Sequence, residues 1–416
     1  MLFPQGKLDI ATASLLFSEV INMGLNDTVS AERVHISFFG MRNAGKSSLV
    51  NAVTGQELAV VSDVKGTTTD PVRKAMEILP LGPVVIIDTP GIDDEGELGE
   101  KRVQKAKQVL TKTDIAVLVV DSTKGLGTFD NMMLDFFREK KIPYVIAYNK
   151  SDLLDSIPAA AKNEIYVSAK NDRNIYELKE KIASFSKAKQ SNKLIVADVL
   201  EKGDTVILVI PIDESAPKGR VILPQQQVLR ELLDFNCTAV CCQVSELDAT
   251  IKNLVKKPKL VITDSQAFEQ VSAIVPNEIG LTSFSILFAR YKGDLAALVS
   301  GARALKELRD GDTVLISEGC THHRQCNDIG TVKLPGWIEK YTGKKLNYEF
   351  TSGTEFPDDL SKYALVVHCG GCMLNETEMK YRIAHAVSEG VNIVNYGVAI
   401  AQMNGILERS ISPLKI

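Results

Sequence analysis

Short runs rich in Val, Ile and Leu alternate with helix-like segments over nearly the whole chain, and this alternation most limits the folds open to it. Uninterrupted apolar runs belong to strands buried on both faces, so the pattern calls for an α/β fold with mainly parallel sheets. In the first part, strands are expected near 33–39, 75–79, 84–88, 114–121, 143–148 and 164–168, with a closing helix around 173–185. Only 75–79 and 84–88, joined by Pro80-Leu81-Gly82-Pro83, read as an antiparallel hairpin. The polar, aperiodic stretch 184–193 reads as a linker. A smaller α/β unit follows, with strands at Thr205–Pro211, 238–243 and 259–262, and Pro276-Asn277-Glu278-Ile279-Gly280 as the next boundary. The remainder carries strands near 313–317, 363–367 and 391–395.

A chain of 416 residues exceeds one ordinary core, so two or three domains are expected. Its formal charge of −4 argues against broad electrostatic binding, and neither nucleic acid nor membrane is expected as a partner. No apolar run approaches bilayer-spanning length, and the first apolar residues are interrupted by Asp9 and Glu19 with no basic stretch ahead of them. A cytoplasmic location is therefore expected. Residues 8–24 read as an amphipathic helix or a disordered lead-in and carry no assigned function.

The strand at 33–39 runs into Gly40-Met41-Arg42-Asn43-Ala44-Gly45-Lys46-Ser47-Ser48 and then an apolar helix, which is G-x-x-x-x-G-K-S in its required strand–loop–helix setting. Glycines let the backbone curl so that successive N–H groups face phosphate oxygens. Lys46 is placed to reach the β- and γ-phosphates from the helix start, and Ser47 to hold Mg²⁺. Strand 84–88 ends in Asp88-Thr89-Pro90-Gly91, where Asp88 serves Mg²⁺ and the Gly91 N–H senses the γ-phosphate. Between them, Gly66-Thr67-Thr68-Thr69-Asp70 offers a threonine hydroxyl, with Thr68 the candidate. Asn149-Lys150-Ser151-Asp152 places a carboxylate against the two N–H donors of guanine, and the backbone of Ser168-Ala169-Lys170 suits guanine O6. Five motifs in order, four of them at strand ends, specify GTP.

The set resembles the translation-factor-related GTPases, and among them the TrmE/Era-like tRNA-modification and ribosome-assembly branch. Ile92 after Asp-x-x-Gly leaves no glutamine there to orient water. Asn43 matches the asparagine that binds K⁺ in potassium-activated relatives, so the resemblance implies slow hydrolysis accelerated by K⁺. The acidic run Asp93, Asp94, Glu95, Glu97 and Glu100 reads as a solvated loop.

Seven cysteines, with the close pairs Cys241/Cys242 and Cys369/Cys372, point to metal or redox chemistry more than to a disulfide framework. Strand 313–317 ends in Ser317-Glu318-Gly319-Cys320-Thr321-His322-His323, and strand 363–367 in His368-Cys369-Gly370-Gly371-Cys372. Both groups stand at carboxyl ends of expected parallel strands, where sites form in open α/β sheets. Cys369 and Cys372 have C-x-x-C spacing, and Gly370 and Gly371 leave room for N–H groups to approach sulfur. A zinc ion and an iron–sulfur cluster with three thiolates both fit this pattern. His322 and His368 read as ligands or as donors to sulfur or to a bound precursor, while His323 and Cys326 fall outside the paired pattern. Cys237, Cys241 and Cys242 read as buried packing residues, and His35 and His385 as structural.

A potassium-type G domain followed by C-x-H…H-C-x-x-C resembles the [FeFe]-hydrogenase maturation GTPases, the HydF family, over almost the whole chain. The resemblance implies three parts: a G domain within 1–187, a dimerisation domain at 188–279 and an iron–sulfur domain at 280–416. It implies Cys320, Cys369 and Cys372 as ligands of a [4Fe–4S] cluster whose fourth iron is exchangeable. It also implies a homodimeric scaffold that takes a two-iron precursor made with two radical-SAM maturases and passes it to apo-[FeFe]-hydrogenase. The alternative is a GTPase of RNA modification or ribosome assembly with a C-terminal zinc site.

Overall fold

The computed structural model describes residues 33–56, 72–89, 106–189, 193–212, 221–319, 329–353, 355–371 and 374–414. The described residues are α/β, with three sheets that are parallel except for one hairpin among them. The first sheet contains β1 (Val34–Gly40), β2 (Val72–Ile78), β3 (Gly82–Asp88), β4 (Ile115–Asp121), β5 (Tyr144–Asn149) and β6 (Glu164–Tyr166), in the order β2-β3-β1-β4-β5-β6. Its inner strands are buried on both faces, β4 along its entire length. Leu49, Val53, Leu178 and Ile182 cover one face, and Val109, Met133 and Phe137 the other.

The expected hairpin is β2–β3, but β2 starts at Val72, earlier than the apolar run indicated. Arg73 and Lys74 are exposed and still pair with Ile87 and Ile86, because an edge strand needs one partner and no buried second face. The closing helix spans Ile175–Lys189 and continues through more than half of the expected linker. Ile175, Leu178 and Ile182 form a buried apolar stripe at helical spacing, which anchors the first turns of this helix.

The second sheet comprises β7 (Thr205–Val209), β8 (Thr238–Cys242), β9 (Leu260–Thr263) and β10 (Gly280–Ser283), in the order β10-β9-β7-β8. The third comprises β11 (Thr313–Glu318), β12 (Asn347–Ser352), β13 (Leu365–His368) and β14 (Asn392–Asn395), in the order β12-β11-β13-β14. A boundary at 279/280 is corrected here: Gly280 to Ser283 pair with Leu260 to Thr263, so β10 is the edge of the middle sheet. The two smaller units also share one continuous apolar core running from Ile195 to Leu414. Among the described residues no helix is long and apolar enough to cross a membrane.

The helix Leu295–Ala304 lies directly on β14, and Gly301 makes that approach possible. A Cβ there would stand 2.0 Å from the Ile393 carbonyl oxygen, a backbone atom that cannot turn aside. Gly301→Ala should therefore destabilise the C-terminal half by about 1–3 kcal/mol through overpacking. Urea denaturation followed by circular dichroism measures it, and an unchanged midpoint would contradict this contact.

Candidate functional site

β1 ends at Gly40, where a Cβ would meet the Val119 carbonyl oxygen at 2.4 Å, so only glycine lets the strand lie this close to β4 as it turns. Asn43 and Gly45 then adopt left-handed φ values of 62° and 82°, and the helix Lys46–Thr54 begins. This alternation curls the loop Gly40–Ser48 into a concave backbone suited to phosphate. The Lys46 ammonium lies in direct contact with the Asp88 carboxylate, and the Ser47 hydroxyl is 3.4 Å from its second oxygen. The groups expected to meet phosphate and Mg²⁺ thus share one corner, at the ends of β1 and β3.

Asn149, at the end of β5, joins three motifs. Its amide donates to the Ala44 and Gly45 carbonyls at 3.1 and 3.2 Å, and its oxygen accepts from the Ala169 N–H at 3.1 Å. Lys150 donates to the Asn43 carbonyl at 2.6 Å and to Asp121 at 2.7 Å. Burial works against ionisation of Asp121, but its bonds from Lys150 and Thr123 outweigh burial and hold the carboxyl below its ordinary value. Asp121 was not singled out from sequence, although its place at the carboxyl end of a fully buried strand is the signal that marks such residues. The Ser168 hydroxyl donates to Asp152 at 2.6 Å and holds that carboxylate ionised below the usual range. In the strand-end segment Ser168-Ala169-Lys170, the Ser168 N–H donates to the Arg173 carbonyl and the Ala169 N–H to the Asn149 side chain. Thr68 and Gly91, with Ile92 and the acidic run, lie outside the described residues.

The second constellation gathers at the carboxyl ends of β11 and β13. The Cys369 N–H continues the ladder to the Ser317 carbonyl at 3.0 Å, and Cys369 Sγ accepts from the Gly319 N–H at 3.0 Å and the Gly371 N–H at 3.4 Å. Two backbone N–H groups thus converge on one sulfur, the kind of contact that also surrounds metal-bound sulfur. A Cβ at Gly319 would stand 2.6 Å from Leu374 Cγ; at Gly371, with φ 63°, it would meet Met379 Sδ at 2.5 Å. At Gly370 it would meet only ordinary van der Waals contact, so glycine is required at 371 and not at 370. Cys320, His322, His323, Cys326 and Cys372 lie outside the described residues. Among the described residues, no three His, Cys, Asp or Glu side chains converge on a metal-sized centre.

His368 is 1% exposed beneath this corner. Its Nδ1 is 2.7 Å from the Cys369 carbonyl, which can only accept, and its Nε2 is 2.9 Å from the Arg382 guanidinium, which can only donate. The ring is therefore the neutral Nδ1–H tautomer with both nitrogens engaged, a geometry that supports Cys369 and does not present a ligand. Burial, together with the Arg382 charge, pushes the imidazole down to about 3.

Arg382, on the helix Glu376–Ser388, is also buried and gathers three strand ends: Ser317 of β11 at 3.3 Å, the Gly353 carbonyl after β12 at 2.8 Å and His368 of β13. Its charge is matched by buried Glu378 at 2.7 Å. Sequence inspection missed this pair, because an i,i+4 Glu–Arg spacing usually marks a solvated helix face. Cys237 is buried as expected, but Cys241 is exposed and Cys242 half-buried on β8, since that strand is a sheet edge. His35 and His385 bond to backbone carbonyls, at Arg33 and Asp358, and read as structural.

Residues 35–150 match a family model described as 50S ribosome-binding GTPase, 195–293 one described as hydrogen maturase F dimerization domain, and 296–413 one described as hydrogen maturase F tetramerization domain. The tRNA modification GTPase MnmE of Francisella tularensis subsp. novicida (strain U112) is 35% identical over 164 residues, 37% of this chain and 36% of that protein. MnmE of Thiobacillus denitrificans is 32% identical over 155 residues, 36% of this chain and 33% of that protein. The chain thus spans about a third of the length of the curated relatives it matches. Among solved structures, a probable GTP-binding protein engB is 26% identical, covering 38% of this chain and 100% of that one at TM-score 0.32. Era of Aquifex aeolicus bound to GDP·AlF4⁻ is 17% identical, covering 77% and 92% at TM-score 0.32.

Removing one member of a buried ion pair leaves the other charge uncompensated. Arg382→Met in the metal-free protein should cost about 3–5 kcal/mol, and adding Glu378→Gln should recover a good part of that loss. Urea midpoints of the single and double variants test it; additive losses would contradict the pairing.

Proposed function

The chain belongs to the hydrogen maturase F family, and on that premise we propose that it is a GTP-hydrolysing carrier for assembly of the two-iron unit of [FeFe]-hydrogenase. Its G domain binds GTP and Mg²⁺ through the Gly40–Ser48 loop, Asp88, Asn149 and Asp152, with Thr68 and Gly91 completing the site. Cys320, Cys369 and Cys372 would hold a [4Fe–4S] cluster, which would supply an exchangeable iron coordination position for the iron unit. Three thiolates keep such a cluster in place while the fourth position stays exchangeable. The precursor comes from two radical-SAM maturases and goes to the apo-hydrogenase.

One observation carries this reading. The Gly319 N–H is 3.0 Å from Cys369 Sγ, and Gly319 directly precedes Cys320, so cysteines distant in sequence start from adjacent strand tips. The donors around Cys369 fit a cluster ligand. His368, with both nitrogens engaged, is assigned to the support of Cys369, and His322 remains the histidine available to a fourth position. The parts are assigned as a G domain to about residue 187, a dimerisation unit that extends through β10, and a cluster-bearing unit after it. Self-association through the middle unit is consistent with the exposed edge of β8. The RNA-directed alternative is not favoured, because the likeness to tRNA-modification GTPases covers little more than a third of the chain.

Replacing Cys320, Cys369 or Cys372 by serine should abolish iron binding on anaerobic reconstitution and leave GTP hydrolysis intact. Full iron content in any of the three would remove that residue from the ligand set. Asn43, aimed by Lys150 through its carbonyl, is assigned to K⁺ beside the phosphates, where a cation offsets developing negative charge. GTP turnover should be faster in KCl than in NaCl at equal ionic strength, and Asn43→Ala should erase the difference. Equal wild-type rates in the two salts would contradict the assignment.

A further inference from the structure

The two smaller units are copies of one fold. Gly203-Asp204-Thr205-Val206 leads into β7, and Gly311-Asp312-Thr313-Val314 into β11. The two glycines share a left-handed φ, 81° and 88°. Both aspartates use Oδ2 to accept an N–H from three residues back, Glu201 at 2.9 Å and Arg309 at 2.8 Å. The sheets run β10-β9-β7-β8 and β14-β13-β11-β12, which is one strand order used twice. Their registers agree as well: Leu260 pairs with Val206 and Gly280, and Leu365 with Val314 and Asn392. Leu223-Pro224 and Leu334-Pro335 each begin the helix between a copy's first two strands. Ser283 and Asn395 each cap the helix after the last strand, accepting from the Ile286 and Val398 N–H groups. This register makes Cys369 the counterpart of Asp264, Gly370 that of Ser265, and Gly397 that of Ser285.

The copies pack as a two-fold pair that exchanges its end helices. The helix Leu295–Ala304, which follows the first copy, lies on β14 of the second, and Leu407–Ile411, which follows the second, lies on β10 of the first. Between them the helices Phe284–Lys292 and Tyr396–Met403 meet at Ser285 and Gly397, where a Cβ on the glycine would stand 2.2 Å from Ser285 Cβ. Equivalent residues that touch each other mark the axis of such a pair. The same relation sets each copy's loop after its third strand against the other copy's helix start, and the two seams differ. At the first, the Ser265 hydroxyl fills the space: a Cβ on Gly397 would be 2.8 Å from it, and it lies buried, 3.5 Å from the Ser283 hydroxyl. At the second, a Cβ on Gly370 would meet, among the described residues, only Ser285 Oγ at 3.9 Å, so room remains beside that hydroxyl. Ser285 is half-buried, and its hydroxyl has no hydrogen-bond partner among the described residues. The roomier seam is the one next to Cys369.

We infer that Ser285, a residue of the middle unit, lines the exchange position beside Cys369 and donates its hydroxyl hydrogen to an acceptor atom of the anionic iron unit carried there. This inference rests on the proposed role of Cys369 as a cluster ligand. A hydroxyl that is not engaged within the fold keeps its hydrogen for a ligand, and its bond to an anionic acceptor is stronger than one to a neutral acceptor. Gly370 contributes through its missing side chain, which leaves the approach to Ser285 Oγ clear. The middle unit thereby takes part in the site itself, because one copy of the fold carries the cysteine and the other supplies a hydroxyl across the axis.

The test uses the full chain, reconstituted anaerobically with iron and sulfide, with iron content measured on every preparation. Cyanide ion is the probe: its carbon binds an exchangeable iron and its nitrogen is left as an acceptor. EPR of the reduced protein follows the titration. Ser285→Ala should keep its iron and raise the half-saturating cyanide concentration about threefold to tenfold, the worth of one hydrogen bond. Ser285→Thr, which keeps the hydroxyl, should stay within about twofold of the wild type. Ser265→Ala makes the same change at the filled seam and should leave cyanide binding as it was. An unchanged half-saturation in Ser285→Ala at full iron content, or an equal loss in Ser265→Ala, would overturn the inference. A wild-type chain that takes up no iron would overturn the cluster reading and this inference with it, an outcome that the iron assay tells apart from the other two.

Discussion

Parallel strands covered on both faces use their backbone groups within the ladder, and this leaves the carboxyl edge of each sheet as the place where side chains and N–H groups can meet a ligand. Both candidate sites obey that constraint. The phosphate loop follows β1, Asp88 ends β3, Asp121 ends β4 and Asn149 ends β5. Cys369 follows β13, and Gly319 follows β11 beside it. One geometric rule thus places a nucleotide site and a thiol site in a single chain.

What holds each edge together differs. In the G domain the tie is a set of charge-assisted and amide bonds: Lys150 to Asp121 and the Asn43 carbonyl, and Asn149 to three backbone groups. In the cysteine-bearing unit one buried guanidinium joins three strand ends and is balanced by Glu378. A buried pair of this kind contributes little net stability but fixes geometry, since every alternative arrangement would strand a charge. It ties together the Ser317 and His368 side chains at the tips of the two paired strands that lead to the cysteines.

The nucleotide site was largely legible in the sequence because each of its motifs is contiguous and announced by the apolar strand before it. Order and spacing alone placed Lys46, Ser47 and Asp88 in one corner and Asn149 beside the phosphate loop, as the structure has them. Less legible were residues that act across the fold. Arg382, Glu378, Asn375 and Asp114 sit in segments whose local pattern matches ordinary solvated helix or loop, and their contacts come from what tertiary packing brings beside them. Exposed edges misled in a different way. β12 carries no apolar run, β2 extends into charged residues, and Cys241 stands on an apolar stretch that is nonetheless a sheet edge. The boundary at 280 failed because Pro276 to Gly280 is a turn into an edge strand, and turn chemistry does not distinguish a domain boundary from a tight connection.

The central claim is that thiols from two neighbouring strand tips hold an iron cluster with one exchangeable corner. Metal analysis of the anaerobically purified and reconstituted wild-type chain, joined to EPR of the reduced protein, addresses it most directly. The account predicts about four irons per chain and a cluster signal that shifts when an imidazole-type ligand is added. About one zinc per chain with no cluster signal would contradict it.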